Sequence, residues 1–170
     1  MGDSPAAKRI KGAYLALLKE NPRGGITVTE VAQRARVNRV TFYRLFETQE
    51  AVLISILDDF DAENRKYMEL LDANPVAAND AVRLMLEHHR QNAPMLRAIL
   101  RSSMAPVLIG RIERGTREPL MESLRDEGPM FVSFYCAGIT RVICDWILGG
   151  CKEAVDDVLA FLVKTSSMTT

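Results

Sequence analysis

The sequence predicts an all-α protein of about nine helices, on three observations. Apolar residues recur at every third or fourth position along most of the chain, which is the spacing of one helix face. Alternation of apolar and polar residues, the pattern of a half-buried strand, does not persist. Turn signals, such as Asn21 before Pro22 and Asn74 before Pro75, interrupt the periodic stretches at lengths typical of globular helices.

The first four helices begin at recognisable capping residues. Ser4, followed by proline, predicts the start of the first helix. Thr27 and Glu30 have the spacing of a capping box, so a second helix begins at Thr27. Asn38 caps a third helix after a turn of about three residues, and Thr48 caps a long fourth one. The second and third helices are short and closely spaced, which predicts a helix-turn-helix.

Five more helices are predicted after the long fourth one. Their boundaries follow from Pro and Gly turns and from the ends of the apolar stripes. The expected ranges are 76–91, 94–101, 106–125, 129–149 and 153–164.

The charge is unevenly distributed along the chain. Lys plus Arg and Asp plus Glu both number 22, so the formal net charge is zero. Residues 1–50 nevertheless carry nine basic and five acidic side chains, a net charge of +4, and residues 51–170 carry −4. A basic segment on an acidic body fits a head that faces nucleic acid, since phosphate contacts supply much of such affinity. The alternative is a basic solvated face without a partner.

Composition and the ends of the chain favour a cytoplasmic protein. The hydrophobic fraction of 48% and the charged fraction of 26% are ordinary for a globular chain. The N-terminal residues have no secretory signal pattern, and three cysteines without a CxxC pair indicate reduced thiols. The most apolar stretch, 131–148, contains Arg141 and Asp145, so no membrane span is expected.

No enzyme class is indicated, and no cofactor or metal is expected. The chain lacks a nucleophile motif, a Gly-rich phosphate loop and metal-ligand spacing. His88 and His89 are adjacent, so on a helix they point about 100° apart and cannot bind one ion without a third group. Asp58, Asp59 and Asp61 are interpreted as a solvated acidic face.

The stretch from Ile26 to Leu53 resembles the helix-turn-helix of the TetR/AcrR family of bacterial transcriptional regulators. The resemblance rests on the pattern TxxxVAxxAxVxxxTFYxxF, here Thr27, Val31, Ala32, Ala35, Val37, Thr41, Phe42, Tyr43 and Phe46. It implies a helix-turn-helix DNA-binding domain at 1–46 and a helical effector-binding and dimerisation domain at 47–170. It also implies a ligand-responsive regulator, more often a repressor, acting as a homodimer on a palindromic double-stranded DNA operator, with an unknown small-molecule effector.

The third helix is expected to enter the major groove with its N-terminal side chains on base edges. Arg39 can donate two hydrogen bonds to guanine, and Val40 can contact a thymine methyl group. The resemblance implies that Tyr43 and Thr27 contact phosphates. Phe42 and Phe46 are expected in the core. The predicted DNA contacts are Thr27, Asn38, Arg39, Val40, Thr41, Tyr43, Arg44, Lys8, Lys11 and Arg36.

Four positions depart from the family pattern. Arg36 and Val40 stand where glycine is usual, Leu45 where histidine is frequent, and Gln49 where lysine is frequent. Arg36 is at a turn position that favours left-handed backbone, at a cost of about 1 kcal/mol. These departures keep an alternative open: a non-enzymatic protein-interaction module with a degenerate helix-turn-helix.

The last two helices are predicted to form the dimer interface. The helix at 129–149 is apolar on two sides, so one side can face its own core and the other a partner subunit. The alternative is a central helix buried in a monomer. The predicted interface residues are Phe131, Gly138, Val142, Asp145, Trp146, Val155, Leu159 and Leu162.

An effector pocket is implied between the long helix and the helices around residues 80–140. Methionine packs adaptably around varied ligands, so the body's methionines are candidates for its lining. Gap-filling in the core is the alternative for each of them. The candidates are Met85, Met95, Met104, Met121, Met130 and Phe134.

Overall fold

The computed structural model describes residues 3–22, 25–73, 78–123 and 127–167. Over these ranges the chain forms nine α-helices and no strand, which confirms the predicted fold class. The predicted turn at Asn74 and Pro75 and the side chain of Met121 lie outside the described residues. The helices are α1 (Pro5–Glu20), α2 (Val28–Arg34), α3 (Arg39–Leu45), α4 (Gln49–Ala73), α5 (Ala78–Gln91), α6 (Ala93–Leu100), α7 (Ala105–Ser123), α8 (Pro129–Gly149) and α9 (Val155–Ser167).

The starts of α1 to α4 confirm the four predicted caps. In each case the capping oxygen accepts a hydrogen bond from the backbone amide three residues later. The bond is 3.2 Å long at Ser4, 3.2 Å at Thr27, 2.7 Å at Asn38 and 3.1 Å at Thr48. Glu30 completes the capping box, since its carboxylate accepts from the backbone amide of Thr27 at 2.8 Å.

One hydrophobic cluster joins the head, which is α1 to α3, to the body, which is α4 to α9. Ile10, Val31 and Phe42 supply its head side, and all three are fully buried. Leu53 and Leu57 on α4 continue it towards α6, α7 and α8. Because α1 also packs on α4 and α6, the core does not break at the predicted boundary between residues 46 and 47.

The aspartates of α4 are partly solvated, as predicted, since the side chains of Asp58 and Asp59 are 60% and 66% exposed, and they also form ion pairs with other helices. Asp59 lies 2.7 Å from the ammonium group of Lys11 on α1. The guanidinium of Arg111 on α7 lies 2.8 Å from Asp58 and 2.5 Å from Asp61. These carboxylates therefore link α4 to two other helices. We name the two groups the head-side cluster (Asp3, Lys11, Asp59) and the body-side cluster (Arg111, Asp58, Asp61).

A second buried cluster, between α5, α8 and α9, corrects part of the predicted dimer interface. It consists of Leu86, Trp146, Val155, Val158, Leu159 and Leu162. The prediction that Trp146, Val155 and Leu159 meet a partner subunit is wrong, because they are almost fully buried within their own protomer. Leu162 is buried in the same cluster but also lines a groove on the outside of α8. The stripe on α9 packs on α5, a partner that helical periodicity does not identify.

Among the described helices, α8 is long and apolar enough by mean hydropathy to cross a membrane, although it contains Arg141 and Asp145. Core helices of soluble proteins reach the same length and hydropathy. In α8, 44% of the most apolar stretch is buried against the rest of the chain. The helix begins after Gly128 and ends at Gly150, whose φ of +95° gives a left-handed cap.

Candidate nucleic-acid interface

The first turn of α3 presents its side chains to solvent. Val40 is 77% exposed, and Asn38 and Arg39 are exposed beside it. Phe42 is fully buried and its ring packs on Phe46 at 6.2 Å, which confirms both phenylalanines as core. One face of α3 therefore packs on the rest of the head, and the opposite face is free to enter a DNA groove.

Tyr43 continues this exposed face. Its ring is 49% exposed and meets the buried Phe42 ring edge-on, with ring centres 5.7 Å apart. The Arg39 guanidinium lies over the Tyr43 ring. Arg44 is exposed. Thr41 is half-buried. Tyr43 therefore has a fixed ring and an accessible edge, as a phosphate contact needs.

The caps of α2 and α3 limit what their side chains can offer to DNA. The carboxamide oxygen of Asn38 is held by the amide of Thr41, so its NH2 group is the part left for a base or phosphate. The Thr27 hydroxyl donates to the Glu30 carboxylate at 2.6 Å. Hydrogen bonds from the hydroxyl and amide of Thr27 lower the pKa of Glu30. A phosphate at Thr27 must therefore compete with a nearby carboxylate.

Arg36 occupies a left-handed turn between α2 and α3. Its φ of +53° confirms the geometry expected at a position where glycine is usual. The amide of Arg36 donates to the Gln33 carbonyl at 3.1 Å, and the amide of Val37 donates to the Ala32 carbonyl at 3.0 Å. The turn is therefore closed by its backbone, and the Arg36 side chain is exposed beside α3.

Lys11 is not a DNA contact, and that prediction is wrong. Only 9% of its side chain is exposed, and its Nζ lies 2.5 Å from Asp3 and 2.7 Å from Asp59. Burial lowers the pKa of this ammonium group, but hydrogen bonds to the two carboxylates outweigh burial and raise the pKa. Lys11 thus remains charged and neutralised inside the protein. Lys8 on the same helix is exposed and remains a candidate.

The apolar side of α8 that points away from the core forms an outer face. We define the outer face as Phe131, Phe134, Gly138, Val142 and Asp145 of α8 together with Phe161 of α9. A groove of about 280 Å³ runs along it, also lined by Tyr135 and Leu162. Four of the predicted interface residues lie here, whereas sequence reasoning missed Phe161, which sits at the edge of the buried α9 stripe.

Phe134 and Met130 do not line an interior pocket, so both assignments to the effector site are wrong. Phe134 is 78% exposed and Met130 is 87% exposed. Met95 and Met104 are half-buried against the main hydrophobic cluster. Met85 is half-buried on α5. Among the described side chains, these three methionines remain candidates for effector contacts.

Aromatic and histidine side chains pack between α4 and α5. The His88 ring stacks on Phe60 at 4.5 Å, and His89 meets the same ring edge-on at 5.0 Å. His89 Nδ1 donates to the Met85 carbonyl at 2.8 Å. Burial lowers the pKa of His89 to about 4 and also lowers that of His88. Nowhere in the described ranges do three His, Cys, Asp or Glu side chains group as metal ligands.

Several solved structures with a similar arrangement of helices are transcriptional regulators. A TetR transcriptional regulator from Streptococcus agalactiae 2603V superposes with a TM-score of 0.71 at 23% identity, over 94% of this chain and 92% of that one. A TetR-like regulator from Rhodococcus sp. RHA1 gives 0.66 at 10% identity, over 95% and 93%. The dihydroxyacetone kinase operon activator DhaS gives 0.58 at 21% identity, over 94% and 93%.

No family model matches the chain, and the search of curated proteins gives no match. The structural likeness spans nearly the whole length of each protein, head and body together. The chain therefore has the fold of TetR-type transcriptional regulators, as the helix-turn-helix resemblance implies.

Proposed function

We propose that this protein is a DNA-binding transcriptional regulator that acts as a homodimer on a palindromic operator. The proposal rests mainly on the exposed first turn of α3, where Arg39 and Val40 project into solvent from a helix that the buried Phe42 holds in place. The net charge of +4 over residues 1–50 supports phosphate binding by the same part of the chain. The shared fold with TetR-type regulators supports the proposal independently.

We infer that the outer face of α8 and α9 pairs with the same face of a second copy. Phe134 and Phe161 are large apolar side chains exposed on one surface, beside the small Gly138. A contiguous exposed apolar patch of this kind marks an interaction site. A two-fold dimer also presents two α3 helices, as symmetric half-sites require.

We further infer that a small-molecule effector controls DNA binding, and that the protein is a repressor. An effector that binds better to one geometry of the dimer shifts the population away from the geometry that fits two half-sites. Met85, Met95 and Met104 are the candidate effector contacts among the described side chains. One structural neighbour is an operon activator by name, so the experiment must also distinguish repression from activation.

Binding to the DNA that flanks the protein's own gene tests the proposal. Fluorescence anisotropy at several salt concentrations should show specific binding at least about 10³-fold tighter than to a shuffled duplex. Arg90→Ala removes an exposed basic side chain of α5, outside the head and paired with Glu87 on its own helix, and should leave this ratio unchanged. Equal binding to both duplexes at low salt would contradict DNA recognition.

The alternative is a protein-interaction module with a degenerate helix-turn-helix. The exposed apolar Val40 and the strained Arg36 favour it, because neither is usual in a DNA-reading turn. In that case Val40→Asp abolishes capture of a protein partner, and no duplex is preferred. We infer no catalytic role, because the structural neighbours are regulators, and we place the protein in the cytoplasm without a membrane partner.

A further inference from the structure

Basic side chains from two different parts of the fold bind one acidic turn of α4. Lys11 reaches Asp59 from α1, and Arg111 reaches Asp58 and Asp61 from α7. With 3.6 residues per turn, Asp58 and Asp61 are about 60° apart around the helix, whereas Asp59 and Asp61 are about 160° apart. Asp58 and Asp59 are about 100° apart, so the two clusters leave α4 on different sides.

The head-side cluster fixes α1 to one turn of α4. The Lys11 ammonium group donates to the Ser55 carbonyl at 3.4 Å and to Asp59 one turn later. Asp3 closes the cluster from the segment that precedes α1. Ile10, next to Lys11, belongs to the core shared with α2 and α3, so a displacement of α1 carries the head with it.

The body-side cluster fixes the same turn to the rest of the body. The Arg111 side chain is only 19% exposed and divides its guanidinium between Asp58 and Asp61. Its helix, α7, packs on α6 and α8. Since α8 carries the outer face, these contacts form a continuous connection from that face through α7 and α4 to the head.

We propose that Asp58, Asp59 and Asp61 set the angle between head and body, and with it the spacing of the two α3 helices in the dimer. The core holds the head to the body, and the ion pairs add charge-assisted contacts between defined atoms of α1, α4 and α7. These aspartates are positioning residues, because they lie on α4 and act on DNA only through the helices that they hold. The inference rests on the proposed function, since half-site spacing has meaning only for a dimer on DNA.

The test compares Asp59→Asn and Arg111→Met with two controls. Glu63→Gln removes a carboxylate from the same helix, where Glu63 forms its ion pair with Lys66 of α4 itself. Asp59→Glu keeps the charge and should retain most of the wild-type behaviour. Arg111→Met disrupts the body-side cluster instead, so the proposal remains testable if Asp59→Asn does not fold.

The DNA probes are duplexes that the wild-type protein selects from a random library, with the half-sites then moved apart or together by one base pair. Asp59→Asn and Arg111→Met should each lower the preference for the best spacing by about fivefold or more. Binding to an isolated half-site should not change, since α3 is intact. Folded variants that keep the wild-type spacing preference would overturn the proposal.

Hydrogen exchange of the free protein separates this inference from the proposed function. Asp59→Asn should speed exchange of the amides in α1 to α3 relative to wild type, and Glu63→Gln should not. If the wild-type protein selects no DNA, the proposed function fails, while exchange still shows whether Asp59 holds the head. Identical exchange in Asp59→Asn and wild type would refute a role for the head-side cluster.

Discussion

The Nε of Arg9 on α1 donates a hydrogen bond of 3.2 Å to the carbonyl oxygen of Ala35, the last residue before the left-handed turn. Ala35 caps the C-terminal end of α2, and Arg36 follows it with a φ of +53°. The turn of the helix-turn-helix is thus supported from α1 by a basic side chain. This support compensates for the absence of a glycine, which would adopt the same conformation without strain.

Arg36→Gly should raise the free energy of unfolding by up to about 1 kcal/mol, because it removes the left-handed strain at this position. It should also weaken the salt dependence of DNA binding, with a slope smaller by about 0.9 for each phosphate that the variant no longer neutralises. Urea unfolding and salt titrations measure the two effects. Gln33→Gly, at an exposed position within α2, is the matched control and should instead lower the stability by about 1 kcal/mol. A loss of stability in Arg36→Gly would show that the turn is not strained.

Arg39→Ala should reduce sequence preference more than general DNA affinity. The Arg39 guanidinium lies 6.0 Å from the centre of the Tyr43 ring, which orients it at the exposed end of α3. A bidentate contact with guanine contributes about 1–3 kcal/mol of discrimination, so the specific-to-shuffled ratio should fall about tenfold or more. Competition binding with both duplexes measures it. An equal loss on both would identify Arg39 as a phosphate contact.

Phe134→Asp should convert the proposed dimer into a monomer. The side chain is 78% exposed on the outer face, so the substitution costs little in the isolated protomer but places a charge in an apolar interface. Sedimentation velocity reports the change. Leu84→Asp introduces the same charge at an exposed apolar position of α5 and should leave the dimer intact. A dimeric Phe134→Asp would place the interface elsewhere.

Acid should destabilise the protein through His89. Burial lowers the pKa of this imidazole from its ordinary value of 6.5 to about 4, so the unfolded chain binds more protons between these pH values. Stability is therefore complete above pH 6.5 and is lost as the pH falls towards 4, by roughly 3 kcal/mol from this group.

His89→Gln should remove most of that contribution. The quantity to compare is the loss of unfolding free energy between pH 7 and pH 4.5, which should be smaller in the variant than in wild type. His88→Gln is the comparison variant, because burial lowers the pKa of His88 as well and the two rings share the Phe60 contact. Parallel pH profiles for His89→Gln and wild type would contradict a buried neutral His89.

The features that could be predicted from sequence are those with a local cause. Thr27, Glu30 and Asn38 determine where α2 and α3 begin through bonds that span three residues. The core role of Phe42 follows from helical periodicity within one short segment. The left-handed conformation of Arg36 follows from the resemblance, which has glycine at this turn position. Such features do not depend on which distant helix packs nearby.

The errors at Lys11, Trp146 and Leu159 concern distant partners. A lysine such as Lys11 is expected to be exposed because it is charged. Lys11 is buried because Asp59, 48 residues later, lies within reach of its long side chain. Trp146 and Leu159 belong to an apolar stripe that fits a partner subunit or α5 equally well. Periodicity shows that a face is covered, and only the tertiary arrangement shows what covers it.

The shallow seating of α3 bears on how the protein can change over evolutionary time. Of its seven residues, Phe42 is the single buried one, and Leu45 and Thr41 are half-buried. Substitutions at exposed positions typically alter stability by less than about 0.5 kcal/mol. A gene duplicate can therefore diverge at Arg39, Val40 and Arg44 towards a new set of target promoters while Phe42 keeps the helix in place.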